Sequence, residues 1–161
     1  MSLVNNSFFI LMYTLICLVG CSQVNNGEYD KSSYDLVSRG VDMTYPYVLL
    51  YKNRADSDRS YKEVYFDSTY KNLISKSFLY KNVANGPYFS YSKGKLFIES
   101  NFKDGKIDGK RIIYENGRVK SESFFKKGIK IGTWIEYDVK GKIIRKTDYD
   151  NNGNITQDIS Y

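Results

Sequence analysis

Gly86, Gly109 and Gly132 stand 23 residues apart, and each opens a segment built like the others. A fixed short period of this kind marks an array of small units that bury their apolar faces against one another. Gly86 is followed by Gly94 and Gly105, and Gly109 by Gly117 and Gly128, with identical spacings of 8 and 11. The third segment carries one extra residue in each interval, giving Gly132, Gly141 and Gly153. Aromatic residues keep the same register: Tyr91, Tyr114 and Tyr137 follow the opening glycine by five, and Phe102, Phe125 and Tyr149 follow the second glycine by eight.

Reading each segment with a period of two turns this pattern into strands. Phe89 and Tyr91, Ile112 and Tyr114, and Ile135 and Tyr137 fall on one face of a first strand, which is expected to be the core face. Leu96 and Phe102, Val119 and Phe125, and Ile143 and Tyr149 are expected on that same face from a second strand. Asn116-Gly117 is a strong signal for a two-residue hairpin turn, because both central residues must accept positive φ; Lys93-Gly94 and Lys140-Gly141 are weaker ones. The fold class expected is all-β: an elongated antiparallel β-meander of repeated hairpins.

These residues resemble MORN repeats, in the bacterial variant found in YwqK-type antitoxin proteins. Gly109, Tyr114, Asn116, Gly117, Arg118, Glu122, Phe125 and Gly128 carry the repeat most fully. Tyr88 and Trp134 fill its early aromatic position, where the middle unit has Arg111; Glu99 and Glu122 fill its acidic position, where the third unit has Lys146. The likeness spans about residues 86–155. It implies a repeat sheet used for protein or lipid binding, or an antitoxin or immunity-type protein that neutralises a partner toxin.

Residues 44–85 are expected to hold N-terminal strands, and two arrangements stay open. Tyr65, Lys76 and Leu79 fit an eroded repeat in which Glu63, Lys71 and Asn82 replace the glycines; alternatively, strands over 61–66 and 73–80 pack against the array as a cap. Residues 30–40 suggest a short helix ending at Gly40. A strand is expected over 44–51, and Pro46 would confine it to an edge or a strand start.

Residues 8–20 form a mostly apolar run, too short for the roughly 20 residues of a spanning helix, and it ends at Leu18-Val19-Gly20-Cys21. This looks like a bacterial lipoprotein signal, residues 1–20, with its lipobox. The resemblance implies cleavage between Gly20 and Cys21, lipid attachment at Cys21, and an envelope location through that membrane anchor. Residues 1–7 depart from the pattern in having no Lys or Arg. Residues 21–43 follow as a mostly irregular tether. Of the two cysteines, Cys17 would leave with the signal, so no disulfide framework is expected.

Residues 86–153 hold 15 Lys and Arg against 9 Asp and Glu, a surplus equal to the +6 of the whole chain. Three readings compete: lysines that guard solvated strand edges, attraction to anionic lipid or cell-wall polymer, and nucleic acid, which an exported protein rarely meets. No nucleic-acid partner is expected.

The chain has no histidine, no Gly-x-Ser-x-Gly elbow and no Ser-x-x-Lys with supporting motifs, so it is expected not to be an enzyme and to use no cofactor. Glu99 and Glu122 are expected to pair with Lys95 or Lys120. Asp148-x-Asp150-x-Asn152-Gly153 copies the start of a calcium loop, but Ile159 stands where the bidentate glutamate belongs, so turn chemistry and no metal is expected. The candidate binding face is Tyr88, Arg111 and Trp134, with a protein partner or an envelope surface as its ligand.

Overall fold

A computed structural model of the chain describes residues 30–40 and 47–161. Gly20, Cys21, the signal and most of the tether lie outside the described residues. After a 3-10 turn at Lys31–Ser33 come β1 (Tyr34–Gly40), β2 (Tyr47–Asn53), β3 (Arg59–Tyr65), β4 (Leu73–Tyr80), β5 (Val83–Ser92) and β6 (Lys95–Lys103). They continue as β7 (Lys106–Glu115), β8 (Arg118–Lys126), β9 (Ile129–Tyr137), β10 (Ile143–Tyr149) and β11 (Ile155–Ser160). All eleven lie in one open antiparallel sheet, in chain order. The expected all-β meander is what forms.

Turn chemistry explains this order. Asn116 and Gly117 have φ of 53° and 78°, the pair of positive values that matches the right-handed twist of the flanking strands. Lys93-Gly94, Asp104-Gly105 and Lys127-Gly128 repeat that geometry. Lys140-Gly141 does not, and this corrects the sequence reading. The extra residue of that interval is housed by Asp138, whose carboxylate accepts the backbone N–H of Lys140 and Lys142 at 2.8 Å each. Asp150 does the same for Asn152 and Asn154, which is the turn chemistry expected of the calcium-like stretch.

One further expectation is corrected. Residues 30–40 form a single 3-10 turn and then a strand, because Tyr34 packs its ring on Tyr61 and Phe78 and so ties the segment to the sheet. β3 and β4 pair edge to edge with one another, and β4 pairs with β5 at the start of the first unit. The strand expected over 44–51 is described over Tyr47–Asn53; it pairs with both β1 and β3, so of the two places that Pro46 allows, an edge or a strand start, it does not take the edge.

The face assignment is also corrected. Between β5 and β6 the register steps from Ser90 opposite Ile98 to Tyr91 opposite Leu96, leaving Phe97 as an extra residue. Lys120 and Ile144 are extra in the same place of the next two hairpins. Each such bulge breaks the alternation of side chains. Leu96, Val119 and Ile143 therefore share a face with Tyr91, Tyr114 and Tyr137, while Phe102, Phe125 and Tyr149 emerge on the opposite one, against Tyr88 and Trp134.

Among the described residues no second layer covers either face of the sheet. Phe89, Ile112 and Ile135 are accordingly only half-buried, and among the described residues Tyr34, Tyr61 and Phe78 form a cluster of buried rings, with Tyr51 against it. Of the two edge strands among the described residues, β1 carries Arg39 and β11 carries neither Lys nor Arg.

Candidate functional site

Tyr88, Arg111 and Trp134 fall on alternate strands, β5, β7 and β9, and the register aligns them. Ser77 lies opposite Tyr88, Tyr88 opposite Ser100, Ser100 opposite Arg111, Arg111 opposite Ser123, and Trp134 opposite Thr147. Directly opposed residues share a face. A single row thus alternates small hydroxyl residues with long ones, the long ones about 9.6 Å apart across two strand spacings. Ser100, Ser123 and Thr147 are each only 6% exposed, while the three long side chains stay half-buried beside them. On an uncovered face the small residues can be buried this deeply only because their long neighbours lean over them.

Aromatic contacts fix the two ends of the row. The Trp134 ring lies between Phe125 at 5.3 Å and Tyr149 at 5.1 Å, and its Nε1 donates to the Phe124 carbonyl at 3.3 Å. Lys130 Nζ sits 4.4 Å over the Trp134 ring and 5.3 Å over Tyr149. Tyr88 meets Phe102 edge-on at 5.6 Å. Beside it opens a cleft of about 360 Å³ lined by Lys62, Val64, Ser75, Ser77 and Leu79. At the centre, the buried Nε of Arg111 meets no acceptor among the described residues. An unpaired buried donor of this kind costs about 1–3 kcal/mol.

The other face carries the carboxylates. Glu99 accepts from the Tyr114 hydroxyl at 3.1 Å, and Glu122 pairs with Lys110 at 2.8 Å. Neither uses the partner expected, since Lys120 pairs with Glu115. Burial and then the bond to Glu99 raise the Tyr114 phenol.

Sequence reasoning passed over Glu63, treating it as a missing glycine. Its carboxylate is buried, with the residue 3% exposed, and takes four hydrogen bonds: Lys31 Nζ at 2.8 Å, and the hydroxyls of Tyr51, Tyr61 and Tyr65 at 3.0 Å each. Burial alone would push this carboxyl up, but the bonds from Lys31, Tyr65 and Tyr51 and the Lys31 charge outweigh it and hold it below its ordinary value. Burial and the Glu63 charge drive the Tyr61 phenol far up. The signal was present as Tyr61-x-Glu63-x-Tyr65, which places two phenols beside a carboxylate on one face of a strand.

No protein-family model matches the chain, and no curated protein matches it. A solved structure, the crystal structure of the pneumococcal O-GlcNAc transferase GtfA in complex with UDP and GlcNAc, is similar over 68% of this chain at 17% identity, with a TM-score of 0.42. The chain spans 20% of that enzyme's length. The expectation that this is not an enzyme is withdrawn: missing motifs do not exclude catalysis. At this TM-score the likeness carries no transferase activity to the chain either.

Proposed function

We propose that this chain is a binding protein of the bacterial envelope, whose MORN-like sheet of 23-residue units offers the Tyr88, Arg111 and Trp134 row to a protein or an envelope component. The observation that carries this reading is the row itself. It sets rings and a guanidinium at regular steps over buried hydroxyls, on a face that nothing among the described residues covers. Tyr, Trp and Arg are also the residues that dominate binding energy where surfaces meet.

The test uses the intact chain, purified with its membrane fraction, and chemical cross-linking to its neighbours in cells. Tyr88→Ala with Trp134→Ala should cut recovery of cross-linked partner at least tenfold with the far-ultraviolet spectrum unchanged. Undiminished cross-linking in the folded variant would overturn the reading.

The lipobox supports attachment at Cys21 after cleavage at Gly20. Labelling with an alkynyl fatty acid should mark the native protein and leave Cys21→Ala unmarked; a label that persists in the variant contradicts the anchor.

A further inference from the structure

Lys31 ends in a site shaped for an ammonium group. Its Nζ lies 2.8 Å from Glu63 Oε1, 4.6 Å from the centre of the Tyr51 ring and 5.5 Å from that of Tyr61. Tyr61 also donates to Oε1, while Tyr51 and Tyr65 donate to Oε2. Three phenols can solvate a carboxylate but cannot neutralise it, and Lys76, opposite Glu63 on β4, places its Nζ over the Tyr91 ring at 5.9 Å, so this pocket retains a negative charge that calls for a cation. Negative charge next to ring faces is the chemistry that recognises ammonium.

Walls and occupant differ in how they are held. Glu63, Tyr61 and Tyr65 alternate along β3, and Tyr51 is locked opposite Tyr61 by the β2–β3 ladder. Lys31 instead belongs to a three-residue turn, and its side chain is 48% exposed. Arg54 holds that turn at the Ser32 carbonyl and at Asp35, both in solvent. The occupant can leave with the walls standing.

We propose that this pocket is a binding site for a primary alkylammonium, a free amine or a lysine side chain, which Lys31 occupies in cis until an outside ligand displaces it. Primary amines are favoured over quaternary ones because the contact to Glu63 is a hydrogen bond that needs an N–H, and because only two rings approach the cation. The pocket lies on the face opposite the Tyr88 row and does not depend on the function proposed for that row.

The experiment titrates n-butylammonium, Nα-acetyl-lysine N-methylamide and tetramethylammonium into the native chain, Lys31→Ala and Lys31→Ala/Glu63→Gln at constant ionic strength, following the tyrosine ring resonances. Lys31→Ala should bind both primary amines saturably and at least tenfold more tightly than the native chain. It should bind tetramethylammonium at least tenfold more weakly than butylammonium, and the double variant should lose binding. Butylammonium alone marks a free-amine site; the lysine derivative binding as well marks one open to a protein side chain. In the native chain, butylammonium should speed amide exchange at Tyr34 and Leu36 while tetramethylammonium does not, a readout that stands even if Lys31→Ala fails to fold. A folded Lys31→Ala without saturable binding, or native exchange that ignores butylammonium, would overturn the proposal.

Discussion

Glu63 is the residue on which the N-terminal part of the sheet turns. Removing its charge while keeping its shape, Glu63→Gln, leaves Lys31 without its counter-ion and the three phenols with a weaker acceptor; the expected loss is about 3 kcal/mol, read from denaturant unfolding. The pH dependence has a definite sign. A carboxyl held below its ordinary value in the folded chain binds fewer protons there than when unfolded. Its contribution is therefore complete above the unfolded value of about 4.3 and disappears as the pH falls through the folded value. Asp158 adds the same sign, pulled down to about 2 by its bonds from Arg145 and Thr147 against slight burial. Acid unfolding should thus begin below about pH 4 in the native chain, and Glu63→Gln should flatten the dependence without abolishing it. An unaltered acid limb in the variant would show that Glu63 is not the titrating group. Glu63 was hard to read from sequence because the 23-residue alignment marks it as a defect, whereas period-two reading of Tyr61, Glu63 and Tyr65 shows three polar groups on one face.

Turns and bulges govern the elements. Gly117 has φ of +78° with nothing within 4 Å of where a Cβ would stand, so Gly117→Val meets backbone strain and no clash. The expected loss is about 1–3 kcal/mol in thermal unfolding. Asp150→Ala removes a carboxylate that accepts two backbone N–H groups and the Asn154 amide, and should cost about 1 kcal/mol and broaden the Asn152 and Asn154 amide resonances. Equal melting curves for native and Gly117→Val would contradict the turn. The two-residue turns were legible because Asn-Gly and its relatives need positive φ. The bulges at Phe97, Lys120 and Ile144 were not, since an extra residue inside a ladder leaves no mark in composition. Missing them put Phe102, Phe125 and Tyr149 on the wrong face.

At the scale of the molecule, the eleven strands of the described residues follow one another in a single layer, so each inner strand gains most of its stability from its two neighbours. That architecture explains why many large side chains are half-buried and why Ser60, Glu63, Ser100, Ser123 and Thr147 lie as deep as Val64, Tyr61 and Phe78. It also explains why a core could not be located from hydrophobic alternation: with no covering layer among the described residues, period two marks faces but does not say which is inside. The most direct test is an NMR spectrum recording cross-strand contacts along one row, from Ser77 through Tyr88, Ser100, Arg111 and Ser123. The account predicts a short contact between each successive pair. Their absence, or Tyr88 and Arg111 each in contact with strands outside this sequence, would contradict it.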